Sequence, residues 1–211
     1  MKIRLWIIIS LTAVLFTACT SVRQMTLLGE VQPQYTLPEQ PEFVLAENDV
    51  LYISFSSINQ DAVAAYHTNG HEFVIDRDGT ILLPVLGRIT VKGKTEKQVA
   101  EMLTQAVGRY LKDPIVKVEL KNATVAVLGE VKNQHQIGMP CPMPLLNIIA
   151  SAGGFTRNAR RDNILVQRVE NGKVKHYRVN LLTDELFSSP CYYLQKGDIV
   201  YVSPLHPAKS Q

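Results

Sequence analysis

The sequence has few aromatic residues and nearly balanced charge. Aromatic side chains make up 7% of the 211 residues, only one is tryptophan, and the formal net charge is +3. Apolar residues reach 46%, which excludes a disordered chain, because such chains are depleted in them. Only one apolar run exceeds about ten residues, which excludes a polytopic membrane protein. The composition therefore indicates one large or two small globular domains.

Motifs of catalytic and metal chemistry are also missing. The chain contains no serine nucleophile elbow, phosphate-binding loop or paired-cysteine metal knuckle. His67 and His71 are four residues apart, but Asn69-Gly70 between them favours a turn, whereas two metal ligands at that spacing need a helix. Asp76 and Asp78 precede a glycine, as acidic residues in turns commonly do. We therefore predict a protein that is not an enzyme and needs no cofactor.

The amino-terminal segment has the features of a bacterial lipoprotein signal peptide. Two basic residues precede a twelve-residue apolar core, Leu5 to Phe16. A helix of that length is about 18 Å long, which is too short for the ~30 Å hydrocarbon layer. The sequence Phe16-Thr17-Ala18-Cys19 resembles a lipobox, although leucine is usual where Phe16 stands. We expect removal of residues 1–18 and acylation of Cys19; an ordinary signal peptide with an incidental cysteine is the alternative.

Removal of the signal peptide would change the expected partners and location. It would leave 193 residues with a net charge of +1, because two of the 22 basic residues lie in it. The case for a nucleic-acid partner is therefore lost. Acyl chains would hold the protein at a membrane, and Thr20 after the cysteine, instead of aspartate, favours the periplasmic side of the outer membrane. Residues 19–42 are proline-rich and are predicted to be a lipid-anchored tether.

The first compact unit is predicted at residues 43–121. Leu51, Ile53 and Phe55 alternate with polar residues, which indicates a half-buried strand. Thr95-Glu96-Lys97-Gln98 is a capping box and predicts the start of a helix. The apolar face expected for that helix consists of Val99, Met102, Leu103, Ala106, Val107, Tyr110 and Leu111. This unit is therefore predicted to be a mixed sheet with one long helix.

The second unit is predicted at residues 122–204. Pro144 is expected at the first position of a buried helix, and Gly153-Gly154 is expected to end that helix. Asn171-Gly172, between two alternating runs, predicts a β-hairpin. A last strand follows Gly197. These elements predict a small α+β unit with one helix packed on a mixed sheet.

Short motifs occur in a fixed order along both units. In the first unit they contain Asp49, Gly79, Pro84, Gly87, Asp113 and Pro114. In the second unit they contain Gly129, Gly153, Gly154, Gly197 and Asp198. With these motifs the chain resembles the outer-membrane polysaccharide export proteins, which are lipoproteins of capsule and exopolysaccharide translocons. The resemblance implies an α+β fold, in which a polysaccharide export N-terminal domain precedes a soluble-ligand-binding β-grasp domain.

The sequence departs from the family pattern at three places. Asn48 stands where glycine is usual, and asparagine also tolerates a left-handed turn. Asn133-Gln134-His135-Gln136 replaces the usual Pro-Gly. Only residues 205–211, a short tail, follow the second unit, whereas long members continue with more β-grasp repeats and a pore helix. We therefore expect a short form that relies on a separate outer-membrane pore protein.

The resemblance implies a non-enzymatic component of a capsular or exopolysaccharide export machine. Copies of the chain would form a ring beneath the outer membrane through side-by-side β-grasp contacts. The ring would guide the polysaccharide from an inner-membrane co-polymerase towards the pore protein. The alternative is a monomeric periplasmic lipoprotein that binds a soluble glycan or ligand through the β-grasp domain.

Two further groups of residues in the second unit carry open alternatives. Arg157, Arg160 and Arg161 would contact an acidic polysaccharide or a neighbouring subunit, or form a solvated basic loop. Cys141 and Cys191 would lie in an oxidising compartment, where they form a disulfide or stay two buried free thiols.

Overall fold

The computed structural model describes residues 27–29, 34–58, 63 and 72–206. The signal peptide, the lipidation residue Cys19, the pair His67 and His71, and most of the short tail lie outside these residues. The described part forms two sheet-based units whose buried apolar side chains make one continuous core. Together they are a mixed α+β fold, as the sequence predicts.

The first unit is a three-stranded antiparallel sheet covered by one helix and extended by a hairpin. Strand order is β2-β1-β5, and β3 pairs separately with β4. In the central strand, Leu51, Ile53 and Phe55 are buried while their neighbours are more exposed, as the alternation predicts. The elements are β1 (Val50–Ser56), β2 (Glu72–Val74), β3 (Thr80–Leu83), β4 (Gly87–Thr90), α1 (Glu96–Val107) and β5 (Ile115–Leu120).

Helix α1 begins as predicted and ends earlier than predicted. The Thr95 side chain accepts from the Gln98 amide, and the Gln98 side chain accepts from the Thr95 amide, so the capping box is confirmed. The helix ends at Val107, because Gly108 caps it. Tyr110 is therefore outside the helix and exposed, and its predicted place on the apolar face is wrong. The buried face is shorter than expected and consists of Val99, Leu103 and Val107.

The second unit is a five-stranded mixed sheet. Its order is β10-β9-β12-β6-β7, in which β12 runs parallel to β6 and antiparallel to β9. A separate two-stranded sheet joins β8 to β11. The elements are β6 (Thr124–Gly129), β7 (His135–Gly138), β8 (Met143–Pro144), α2 (Leu145–Ser151), β9 (Ala159–Glu170), β10 (Lys173–Val179), α3 (Glu185–Ser188), β11 (Tyr193–Leu194) and β12 (Ile199–Pro204).

One local prediction in this unit holds, and a second is off by one residue. Asn171 and Gly172 form the two-residue turn between β9 and β10, with φ values of 52° and 72°. Positive φ at both positions is the requirement of a type I′ hairpin. Helix α2 starts one residue after the predicted position, because Pro144 has an extended backbone, with ψ at 140°, and serves as its N-cap.

Candidate functional site

The junction between the two units joins two motif segments that are far apart in the sequence. The Asp49 carboxylate lies in the turn before β1 and is held by the Ala46 amide at 2.8 Å and by the Lys196 ammonium group. The side chains of Lys196 and Asp49 are only 22% and 11% exposed. Asn48 has φ at 64°, so it takes the left-handed conformation that glycine usually provides. An ion pair shielded in this way connects the two units directly.

A buried carboxylate organises the turn before β12. Asp198 has a fully buried side chain and receives two hydrogen bonds from Arg168, at 2.9 Å and 2.7 Å. The same guanidinium group donates to the Pro190 and Tyr193 carbonyls, and the Gln195 amide donates to Asp198. Burial opposes the charge on Arg168, but its bonds to the carboxylate raise its pKa. The pair therefore holds the loops before and after β11 against strand β9.

Gly129 lies at a close approach of two backbone segments, and Gly153 lies close to the Asn133 side chain. A Cβ atom on Gly129 would lie 2.1 Å from the Val202 carbonyl oxygen, and φ there is +89°. A Cβ atom on Gly153, after α2, would lie 2.8 Å from the Asn133 side-chain nitrogen. The Asn133 segment, which replaces the usual Pro-Gly, thus packs against the end of α2. Positive φ values also occur at Gly79, Gly87, Asp113, Gly154 and Gly197.

Pro84 lies in the turn of the β3–β4 hairpin, as its predicted role at a strand end requires. The Leu86 amide donates to the Pro84 carbonyl at 2.7 Å, and Val85 has φ at 65°. The turn leaves Leu82 and Val85 exposed to solvent at 65% and 64%. The tip of this hairpin is therefore an exposed apolar surface.

A cleft of about 430 Å³ lies at the domain junction. Its residues come from the amino-terminal segment, from the start of α1 and from the loop before β8, and they are Gln40, Pro41, Glu42, Phe43, Glu96, Lys97, Cys141 and Pro142. Glu96 accepts a hydrogen bond from the Leu120 amide at 2.5 Å. Burial raises the pKa of Glu96, and this effect outweighs the hydrogen bond. The cleft thus contains a half-buried carboxyl group.

The segment expected to be a tether is docked on the second unit. The described residues within 27–40, which we call the N-terminal strap, contact it at both ends. The Leu28 amide donates to the Leu181 carbonyl at 3.1 Å, and the Tyr35 ring stacks on Phe187 at 4.5 Å between centroids. Part of the predicted tether therefore packs against the folded second unit.

Both structural units match known protein families. Residues 37–121 match the model of a polysaccharide biosynthesis/export protein, and residues 123–202 match the model of an SLBB domain. These boundaries agree with the two structural units. The chain belongs to the polysaccharide export protein family. Proteins of this family are transport components, so the expectation of a non-enzymatic protein is confirmed.

Similar export proteins are known from several bacteria. The chain is 30% identical over 141 residues to the EPS I polysaccharide export outer membrane protein EpsA of Ralstonia solanacearum, a match that covers 65% of this chain and 37% of EpsA. It is 27% identical over 142 residues to the capsule polysaccharide export outer membrane protein CtrA of Neisseria meningitidis, covering 65% and 35%. The capsule polysaccharide export protein BexD of Haemophilus influenzae is 24% identical over 132 residues, covering 60% and 32%. The matched part of the chain thus corresponds to roughly a third of each relative.

The three arginines predicted as one contact patch of this export protein are divided by the structure. Arg160 is exposed and pairs with Asp162 at 3.2 Å. The Arg161 side chain does not join this pair; its Cζ atom lies 5.3 Å from the centroid of the Phe155 ring. Arg157 is exposed. Arg160 and Arg161 thus face opposite sides of β9, because successive residues of a strand alternate between its two faces. The contact role of the three arginines stays a prediction.

The two cysteines of the SLBB domain are not bonded to each other. Cys141 is an exposed free thiol that accepts a hydrogen bond from Gln40 at 3.4 Å. Cys191 is a free thiol in the core, and burial raises its pKa to about 11. The disulfide alternative is thus absent from the structure, and only Cys191 fits the alternative of buried thiols.

Arg168 and the docking position of the strap are the main structural features that sequence reasoning missed. A signal for Arg168 exists, because it follows the buried Ile164 and Val166 at intervals of two in β9. A charged residue on the apolar face of a strand needs a buried partner. Within the described residues, no group of three or more His, Cys, Asp or Glu side chains could hold a metal ion. Nor does that part of the chain contain a helix long and apolar enough to cross a membrane.

Proposed function

We propose that the protein is a lipid-anchored outer-membrane component of a capsular or exopolysaccharide export machine. The observation that carries the proposal is the match of both domains, in order, to a family whose relatives are named for this export. Acylation of Cys19 would hold the protein on the periplasmic side of the membrane. An inner-membrane co-polymerase and a separate outer-membrane pore protein are the partners we propose from the same resemblance.

We further propose that copies of the chain form a ring. The five-stranded sheet has two outer strands, β10 and β7, whose free edges can contact another copy. Strand β10 carries Lys173, Lys175 and Arg178, so two β10 edges repel each other. Strand β7 has no acidic or basic residue except His135. A contact between β10 of one copy and β7 of the next is therefore favoured, and such head-to-tail contacts generate rings.

A charge change on β7 tests the ring contact. Gln136 is exposed on β7, and Gln136→Lys would place a cation opposite the basic β10 edge of the next copy. We expect this variant to lose the oligomer in a light-scattering mass measurement of detergent-extracted protein. The matched variant Gln136→Glu should retain it. A parent protein that is monomeric and binds glycan would instead support the alternative of a monomeric binding lipoprotein.

The export role is tested in the cell. Deletion of the gene should abolish surface polysaccharide in a capsule stain, and the parent sequence should restore it. Cys19→Ser should release the protein from the membrane and fail to restore the stain. Normal polysaccharide with the Cys19→Ser variant would contradict the proposed anchor.

Arg157 and Arg160 remain our proposed contact for an acidic polysaccharide. Both are exposed, and Arg160 lies with Arg178 in an open groove of about 530 Å³. The same groove contains Asp162 and Glu185, so its charge is mixed. Replacement of Arg157 and Arg160 by Gln should reduce export in the capsule stain. Unchanged export and assembly would show that they are only a solvated loop.

A further inference from the structure

The five-stranded sheet of the SLBB domain has one covered face and one open face. Successive residues of a strand alternate between the two faces. Ile164 and Val166 of β9 and Val200 and Val202 of β12 are buried and mark the covered face. The residues between them, together with the residues that pair with those across the sheet, form what we call the open face. It includes Leu128, Leu165, Gln167, His176, Arg178 and Tyr201.

The open face is apolar at its centre. Tyr201 pairs with Leu165 on one side and with Leu128 on the other, so three adjacent strands form one apolar row. A Cβ atom on Gly129 would lie 3.2 Å from Cε2 of Tyr201, so the tyrosine ring lies beside bare backbone. Val169 is 62% exposed, Leu128 42% and Tyr201 40%. A sheet with one packed face normally has polar residues on the other, and an exposed apolar patch of this kind indicates a binding surface.

The polar groups of the open face are cationic or neutral. Arg178 is exposed and donates to the Asn163 side chain at 2.8 Å, and it forms no ion pair within the described residues. A His176 ring nitrogen lies 3.2 Å from the Gln167 side-chain oxygen. No acidic residue occupies an open-face position of the five strands, all of which the structure describes. This face therefore attracts an occupant that carries negative charge.

The open face continues into the groove that contains Arg160. Arg178 and Asn163 line this groove of about 530 Å³ and also belong to the open face. The groove and the open face therefore form one surface. The outer strands β7 and β10 provide the proposed contact between copies, so ring formation would leave the open face of every copy uncovered. Edge contacts of this kind would also place the open faces of successive copies side by side.

We infer that the open face is a binding surface for an acidic polysaccharide and extends across the sheet from the arginine groove. The apolar C–H face of a pyranose ring packs on Tyr201 and its leucine neighbours. A sugar carboxylate pairs with Arg178, and Gln167 exchanges hydrogen bonds with sugar hydroxyl groups. A second copy is a poorer occupant, because it would bring the same cation to the contact. This inference rests on the proposed export function and states where the exported polymer makes contact.

Fluorescence anisotropy tests this binding in the detergent-extracted full-length chain. One probe is a fluorescein-labelled alginate oligosaccharide, in which every sugar carries a carboxylate, and the other is a labelled dextran oligosaccharide, which carries none. We expect the parent protein to prefer alginate. Tyr201→Ser should weaken alginate binding by about fivefold or more, whereas Tyr201→Phe should retain it, because the phenylalanine ring keeps the packing surface. Arg178→Gln should remove the preference for alginate over dextran.

Two matched variants control for position and for net charge. Asn147→Ser changes an exposed residue of α2, whose buried residues pack in the core under the covered face. Arg88→Gln removes one exposed cation from the export domain. Both variants should bind alginate like the parent. A melting curve checks that each variant is folded, and if Tyr201→Ser does not fold, the exposed change Arg178→Gln decides the test.

Three results would overturn the inference. The first is a parent protein that binds neither probe or binds dextran as tightly as alginate, and the second is a set of folded open-face variants that bind alginate like the parent. The third is a Tyr201→Ser variant that binds alginate but loses the oligomer, since the open face would then be a contact between copies. The export role fails separately, if deletion of the gene leaves the capsule stain normal. Where deletion abolishes the stain, full restoration by both Tyr201→Ser and Arg178→Gln also contradicts the open-face site.

Discussion

Asp198 and Arg168 show how a single pair can fix several loops of the SLBB domain. A buried carboxylate is costly unless it is paired and hydrogen-bonded. Here the guanidinium group supplies two bonds to the carboxylate and also satisfies the Pro190 and Tyr193 carbonyls. Removal of the cation would leave the charge buried in the core without this partner.

Arg168→Met should therefore destabilise the protein strongly. We expect a loss of about 3 to 5 kcal/mol in the free energy of unfolding, measured by urea denaturation, because Asp198 would remain as an uncompensated charge. Arg88→Met is the matched control, since Arg88 and Asp76 form an exposed pair; its cost should stay below about 1 kcal/mol. Similar losses for both variants would contradict this role of Arg168.

Glu96 predicts a pH dependence of stability. Burial raises its pKa above the usual 4.5, so the folded protein binds this proton more tightly than the unfolded chain. Ionisation of the buried Glu96 carboxyl therefore lowers the free energy of unfolding. This loss is absent below the pKa of Glu96 in the unfolded chain, grows as pH rises, and is complete above its pKa in the folded protein. Glu96→Gln, which can still accept from the Leu120 amide, should therefore raise the melting temperature at neutral pH.

Two controls test this effect: a melting measurement at low pH, and a substitution of another carboxyl group on the same helix. Below the unfolded pKa of Glu96, parent and Glu96→Gln should melt at nearly the same temperature in calorimetry. Glu101→Gln, an exposed change on the same helix, should have little effect at either pH. A Glu96→Gln protein that melts lower than the parent at neutral pH would show that the charged carboxyl is stabilising.

At the level of elements, the approach of β6 to β12 depends on Gly129. Gly129→Ala should cost more than about 1 kcal/mol of unfolding free energy, since the residue has φ at +89° and its Cβ would overlap the Val202 carbonyl. Gly138→Ala, at the end of β7, has no atom within 4 Å of the new Cβ and serves as the control. Urea denaturation of both variants measures the difference, and equal stability would contradict the close approach.

Elements defined by local chemistry could be predicted, and elements whose limits depend on other chain segments could not. The capping box of α1 and the Asn171-Gly172 turn each satisfy their backbone groups within a few residues, and both are confirmed. The far end of α1 was predicted too long, because apolar spacing continues to Leu111. Leu111 is indeed buried, but in the turn after the helix, so burial alone did not identify its conformation.

At the level of the whole molecule, Asp49 and Lys196 couple the two domains. A double-mutant cycle with Asp49→Asn and Lys196→Met should give a coupling energy of about 1 to 3 kcal/mol, because the ion pair is largely shielded from water. Urea denaturation measures each corner of the cycle. The pair of Lys92 and Glu47, about half exposed on both sides, is the control and should couple by less than about 1 kcal/mol. Equal coupling would indicate that the junction pair does not join the domains.

The sequence by itself determined the family, the two-domain order, the α+β class and the position of the main turns. Those features depend on glycines, caps and alternation that act over a few residues. Only the tertiary structure decided that Arg168 neutralises Asp198, that Lys196 meets Asp49, and that the amino-terminal strap docks on the SLBB domain. The side-chain hydrogen bonds Arg168–Asp198, Lys196–Asp49 and Tyr35–Asp184 join residues 30, 147 and 149 positions apart. Their partners are selected by burial and charge compensation in the folded chain, and no local pattern encodes that choice.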